Sequence, residues 1–194
     1  MRTAPPLLTE RLLLRSLTLE DAPDVQHLAG DRDVASTVLR IPHPYEDGMA
    51  EEWIRSCSEV YQNEEAINFA IIRKTEQNLI GTIGLELEQE HERAELGYWI
   101  GKPYWHHGYA TEAAQAVVAY SFKVLKLNRI YAYHFTRNSA SGRVLEKVGM
   151  HAEGHRRQHT KKWGIFEDSL GYGMLKTDYD SLALISSKGQ KERT

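Results

Sequence analysis

The sequence predicts one α+β domain, and three observations lead there. Strand-like runs follow one another directly over residues 67–100, helix-like and strand-like runs then alternate up to residue 175, and no linker or internal repeat intervenes. With 194 residues, 41% hydrophobic and 26% charged, the chain can fill one core and is short for two. The domain is therefore expected over 1–185, with a polar, disordered tail over 186–194.

Taken in order, Arg11–Arg15, with Leu12-Leu13-Leu14 at its centre, reads as a first strand. Asp21-Ala22-Pro23-Asp24 opens a helix, because acids in the first turn and an early proline suit a helix N-terminus. Ile41 to Tyr45, holding Pro42 and Pro44, is a loop. From Glu46 to Tyr61 the pattern is an amphipathic helix, with Met49, Trp53, Ile54, Cys57 and Val60 near one face. Ile67–Arg73, Leu79–Leu87 and Ala94–Ile100 form an antiparallel meander joined by polar turns. Gly81 and Gly84 mark a bulge or a close approach within it. A buried helix runs from Gly108 to about Val124, rich in alanine and valine, and Arg129–Phe135 is the next strand. Asn138–Val148 is a helix closed by Gly149 in a left-handed cap. His151–Lys161 and Glu167–Leu175 are a closing strand pair.

Composition removes several function classes. A net charge of −3 argues against coating nucleic acid, so no direct nucleic-acid binding is expected. Cys57 is the single cysteine, which rules out an internal disulfide and a cysteine-paired metal site. The start, Met1 to Pro6, lacks the apolar core of a signal peptide, and no apolar run approaches the ~20 residues of a membrane span. A cytoplasmic protein away from membranes is expected, as a monomer or homodimer.

The most informative run is Trp99 to Ala113, a strand, a short loop, and a helix whose first turn holds Gly108 and Ala110. The first amides of a helix have no internal partner and point along the positive end of its dipole. Small side chains there let an anion reach the backbone, so the place suits a pyrophosphate. An isolated Gly-x-Ala at a helix start is more often just a tight turn. The longer pattern decides, because Tyr104-Trp105-His106-His107-Gly108-Tyr109-Ala110-Thr111-Glu112-Ala113 resembles the acyl-CoA loop of the GNAT superfamily, and especially of its Rim-type branch of ribosomal-protein N-terminal acetyltransferases. The broad superfamily has Gln or Arg three residues before the first glycine, whereas Trp105 stands here, as is frequent in the Rim-type branch. The resemblance extends to Leu8–Arg15, to Glu95-Leu96-Gly97-Tyr98-Trp99, to Asn138–Met150 and to Gly164–Met174.

That resemblance implies a mixed, mostly antiparallel six- to seven-stranded sheet flanked by helices, with acetyl-CoA in a splayed central strand pair. Backbone amides of His106, His107, Gly108, Tyr109, Ala110 and Thr111 would hold the pyrophosphate. The main chain at Tyr98, Trp99 and Ile100 would meet the pantetheine arm and polarise the thioester carbonyl, and Gly97 would mark a bulge freeing that backbone. Asn138 would bind the arm as well, although both it and Ser141 also suit plain helix capping. Ser141 would protonate the departing thiolate, since no Gly-x-Ser-x-Gly elbow makes it a nucleophile. Arg143 and Lys147 face either phosphates or solvent. No metal is expected, because adjacent His106 and His107 diverge and lack further ligands at metal spacing.

For the base, Glu95 and Glu86 are the two candidates, each also readable as a solvated strand-end carboxylate. The acceptor is an amine, a protein N-terminus by the resemblance or a small molecule such as a polyamine, amino sugar, amino acid or antibiotic. A non-catalytic acyl-CoA-binding module is the competing class. A dinucleotide oxidoreductase is poorly supported, because no Gly-x-Gly-x-x-Gly follows the first strand. The basic run His151 to Lys162 would attract an acidic peptide or ribosomal surface, or simply be a solvated hairpin.

Overall fold

Strict alternation around Leu12 and Leu14, both fully buried, sets the second strand of a single eight-stranded sheet. The structure, a computed structural model, describes residues 3–191. The strands are β1 (Leu7–Leu8), β2 (Leu12–Ser16), β3 (Ala66–Arg73), β4 (Leu79–Glu88), β5 (Arg93–Ile100), β6 (Arg129–Phe135), β7 (His151–Lys162) and β8 (Ile165–Leu175). Their order is β1-β2-β3-β4-β5-β6-β8-β7. Every pairing is antiparallel except β5 with β6, which is parallel and joined by a helical crossover. The strand beyond the expected range is the two-residue β1, too short to leave a pattern.

Helices cover both faces. On one lie α1 (Ala22–Ala29), α2 (Arg32–Thr37) and α3 (Met49–Gln62), whose Val25, Leu28, Val34, Ala50 and Ile54 pack with Ile72, Leu79 and Trp99. On the other, α4 (Tyr109–Lys123) and α5 (Ser139–Val148) bury Ala113, Val117 and Leu145 against Phe69, Ile83, Leu85 and Ile130. The sheet is thus the middle of three layers with a core on each side. Burial pushes the Cys57 thiol up to about 12, so this cysteine is a packing residue.

Gly81 sits where the β3–β4 register shifts, and a Cβ built on it would stand 2.2 Å from the Trp99 carbonyl oxygen. Gly84 is equally constrained, at 2.4 Å from Asn68 Oδ1. Both glycines therefore permit close approach. Gly149 closes α5 at φ +97°, the left-handed cap that the sequence predicts. Helix α6 (Lys176–Lys191) was not expected, and it carries the first part of the tail over 186–194 in helix as far as Lys191. Residues 192–194 lie outside the described residues. Among the described residues no helix is long and apolar enough to cross a membrane.

Candidate active site

The parallel pair is where the sheet opens. Strand β5 meets β6 only at Arg93–Arg129, Ala94–Ile130 and Glu95–Tyr131, after which the two diverge. From Leu96 onward the β6-facing amides and carbonyls of β5 have no strand partner on that side. The expected bulge at Gly97 is absent: Gly84↔Gly97 lies in an unbroken β4–β5 ladder, and the backbone is freed by divergence of β6 instead. Gly97 is exposed, with open space where a Cβ would be. Because β5 and β6 run parallel, the helices that follow them both start at the open end of the split.

The loop entering α4 is built around two left-handed residues, His106 at φ +63° and Gly108 at φ +80°. Gly108 is the N-cap of α4 and has no side chain to close the cap, so the first helical amides face outward. Trp105 braces the other end of the loop, donating its indole N–H to the Ile100 carbonyl at 2.6 Å. Glu112, one turn into α4, accepts from the Thr9 hydroxyl at 2.6 Å, the Arg11 amide at 2.8 Å and the Arg11 guanidinium at 2.7 Å. Arg11 in turn donates to the His107 carbonyl at 3.0 Å. Burial raises the Glu112 carboxyl pKa, but these donors outweigh it and hold the group below the usual range.

Replacing Glu112 by alanine is therefore expected to cost on the order of 2 kcal/mol, since it strips partners from several donors at once. The folded pKa is depressed, so this stability is present above the ordinary carboxylate range and is lost as pH falls through the folded value. Denaturant unfolding of wild type and Glu112→Ala at neutral and acidic pH checks it, because the difference should shrink on the acid side.

On the α4–α5 face, Tyr98 reaches across the split to α5. Its Oη lies 2.8 Å from Ser141 Oγ and donates more weakly to the Ser141 carbonyl at 3.3 Å. Burial pushes the phenol up to about 12, only partly opposed by the bond to Ser141, so the pair keeps its protons at neutral pH. Asn138 is the N-cap of α5, its Oδ1 accepting from the Ser141 amide at 3.3 Å. The capping reading of Asn138 thus holds for its oxygen, while its Nδ2 has no hydrogen bond among the described residues.

The opposite face holds the carboxylates. Glu86 and Glu95 are directly cross-strand on β4 and β5, so they share a face. Alternation along β5 puts Glu95 with Trp99, on the α1–α3 side, and Tyr98 with Leu96 on the other. Glu86 is held through both oxygens by the Arg40 guanidinium. Glu95 accepts no hydrogen bond among the described residues, and its pKa is raised, first by burial and then by the Glu86 charge. Arg40 belongs to the α2–α3 connection, which Lys162 anchors: this buried ammonium, 5% exposed, donates to the Val38, Leu39 and Ile41 carbonyls.

These parts surround one cleft of about 1110 Å³ that runs through the split. Glu86, Glu95, Tyr98, Trp99, Ile100, His106, Gly108, Tyr109, Ala110, Thr111, Asn138 and Ser141 line it, as do Arg143 and Lys147. His107 does not: its ring stacks on Tyr109 at 5.6 Å and its Nδ1 lies 2.6 Å from the Trp105 carbonyl, which turns it away. Arg11, Arg40 and Glu112 belong to the site without an assignment from sequence, and Arg156 comes to the cleft from the basic run His151 to Lys162. Glu112 lies within the loop motif, where an acidic residue in a first helical turn is the available signal; Arg11 and Arg40 carry none.

Residues 11–151 match the family model for the acetyltransferase (GNAT) domain. YoaA of Bacillus subtilis, an uncharacterized N-acetyltransferase, is 36% identical over 89% of this chain and 97% of its own. The crystal structure of a GNAT-family acetyltransferase from Bacillus anthracis is 29% identical, with a TM-score of 0.79, covering 89% of this chain and 99% of that one. More distant relatives include YdaF of Bacillus subtilis, a putative ribosomal N-acetyltransferase, 28% identical over 70% of this chain and 72% of its own. The spermidine N(1)-acetyltransferase of Vibrio cholerae is 24% identical over 89% and 97%.

Proposed function

This chain belongs to the acetyltransferase (GNAT) domain family, and on that premise we propose that it moves an acetyl group from acetyl-CoA to the terminal α-amine of a protein or peptide, by direct attack with both substrates bound. The observation that carries the reading is the division of labour across β5. An unpaired carboxylate, Glu95, stands on one face, a protonated hydroxyl pair, Tyr98 and Ser141, on the other, and unpaired strand backbone lies between.

The residues fit the donor. Left-handed His106 and Gly108 turn free amides of α4 toward the cleft, and Arg143 and Lys147 add positive charge on the same wall, a combination suited to a pyrophosphate. Asn138 Nδ2 and the β5 backbone at Tyr98 to Ile100 offer hydrogen bonds to an amide-bearing arm. When bound, the donor supplies a thioester carbonyl open to attack and a thiolate leaving group.

Glu95 receives the proton of the attacking amine, directly or through water. An α-amine, with a reference pKa near ~8, needs only such a weak base, whereas a lysine side chain near ~10.4 asks for more. A β5 amide steadies the developing oxyanion. Ser141, held by Tyr98, or a water that it holds, hands a proton to sulfur and regains one from solvent as the thiol departs. Thiols have pKa values of about 8.5, so the leaving group needs modest help, and Ser141→Ala is expected to lower kcat only about tenfold with acetyl-CoA affinity unchanged.

The test is release of free CoA thiol from acetyl-CoA over a panel of free-N-terminal peptides, spermidine, amino sugars and amino acids. Turnover highest on peptides supports the reading. Turnover confined to small amines would replace it with a small-molecule acetyltransferase, and saturable acetyl-CoA binding without turnover on any amine would leave a binding module.

A further inference from the structure

The Glu95 side of the cleft is nearly neutralised by its own side chains. Arg40 is paired with Glu86, Arg93 with Glu88, and Arg129 with Glu153. Two charges are left over. One is the Glu95 carboxylate. The other is Arg156 of β7, which lines the cleft and has no carboxylate partner among the described residues.

Arg156 is held in place nonetheless. Its guanidinium lies 4.2 Å over the Tyr133 ring, donates to Tyr133 Oη at 2.7 Å, and donates to His159 Nε2 at 3.1 Å. Aromatic stacking and a hydroxyl fix the fork without neutralising it. His159, accepting from Arg156, helps to aim the guanidinium, and among the described residues no acid fills this anion-seeking corner. Tyr133 follows Tyr131 by two positions on β6, and Tyr131 is the rung opposite Glu95. The step from Glu95 to Arg156 is therefore a short one across and along the split, on the order of two or three extended residues at ~3.3 Å each.

Resting on acetyl transfer at this cleft, we infer that the acceptor is an amine carrying a nearby carboxylate, with Glu95 taking the amine and Arg156 reading the carboxylate. An extended peptide with Asp or Glu at its second or third position supplies that spacing, and so does a free acidic amino acid. A polyamine offers two or more cations and meets Arg156 with the wrong sign.

The experiment compares kcat/KM for peptides identical except for Asp, Asn or Lys at positions two and three, with free glutamate and spermidine as further acceptors. Wild type should favour the Asp peptide over the Asn peptide roughly tenfold, and the Asn over the Lys peptide, with the spread narrowing in high salt. Arg156→Gln should bring the Asp-to-Asn ratio to about one, and Arg156→Lys should keep part of it, charge without fork. Acetyl-CoA titration of each variant verifies that the cleft is intact.

Equal turnover of the three peptides, or an unchanged ratio in Arg156→Gln, would overturn the inference and leave peptide acetylation standing. Preference for glutamate over every peptide, lost in Arg156→Gln, would uphold the Arg156 assignment and overturn the protein-terminus reading. Turnover restricted to spermidine would overturn both.

Discussion

Glu95→Gln is expected to lose about 10²–10³-fold in kcat/KM at neutral pH while gaining thermal stability. The loss follows from removing the base at the acceptor amine. The gain follows from the environment of the carboxylate. Burial first, and the neighbouring Glu86 charge second, raise its pKa, only partly offset by Arg40. A folded carboxyl that holds its proton more tightly than the unfolded chain does weakens the fold as pH climbs from the ordinary carboxylate range through the raised value. That cost appears as the carboxyl ionises, and glutamine removes it. The pH–rate profile adds a second readout. With Glu95 present, kcat/KM on a peptide amine should climb with two ionisations on the acid side, the carboxyl and the amine. In Glu95→Gln only the amine should remain, so the limiting slope falls from two to one. A melting curve and a pH profile of the variant check both, and full activity in Glu95→Gln would move the base elsewhere.

Gly108→Val should weaken acetyl-CoA binding about 100-fold in a calorimetric titration. Space is not the reason, since a Cβ at this position meets only Arg11 Nη2, at an ordinary 3.5 Å. Conformation is. Gly108 stands at φ +80°, where a β-branched residue is a clear outlier, and the strain is worth about 1–3 kcal/mol. The chain relieves it by rotating the cap, which swings the amides of Tyr109 to Thr111 off the phosphate position. Alanine, unbranched, should lose less. Melting temperature should fall by a few degrees at most, because the cap is exposed and α4 is anchored further in by Ala113 and Val117. A variant that binds normally would show that these amides do not hold the donor.

What the sequence made legible was what is encoded locally. Alternation at Leu12 and Leu14, the alanine- and valine-rich run after Gly108, and Gly149 at a helix end each state their structure within a few residues. So does the glycine pair Gly81 and Gly84, which the β3 and β5 backbones crowd. Helix α2 was invisible because six residues give barely two turns of periodicity, although its Asp31 cap was there to read. Helix α6 leaves no helical signal because its polar composition outweighs the few apolar positions that dock on the fold, such as Tyr179 on Phe122 of α4, and its last turns fall in the expected tail over 186–194.

At the site, the loop, the strand and the Asn138–Ser141 segment were all readable, since each is a contiguous motif. The partnerships that differentiate them were not. Arg40 reaches Glu86 across 46 positions, and Arg11 reaches Glu112 across 101, so no local pattern could say which carboxylate is tied down and which is left for chemistry. The role expected of Gly97 was misplaced for a related reason. Divergence of β5 from β6 depends on where β6 goes, and β6 begins 29 residues after β5 ends.

The three-rung seam between β5 and β6 also has a mechanical consequence. Apart from the two-rung pairing of the edge strand β1, it is the thinnest joint in the sheet, so the two half-sheets can breathe about it with little loss of hydrogen bonding, the Tyr98–Ser141 bond acting as a light tie across the gap. A donor arm laid along β5 would serve as a surrogate strand, closing the ladder that the protein leaves open. Affinity and stiffness then become two readings of one quantity: whatever pre-tightens the joint should tighten donor binding without touching the donor, and whatever loosens it should shorten the donor's stay.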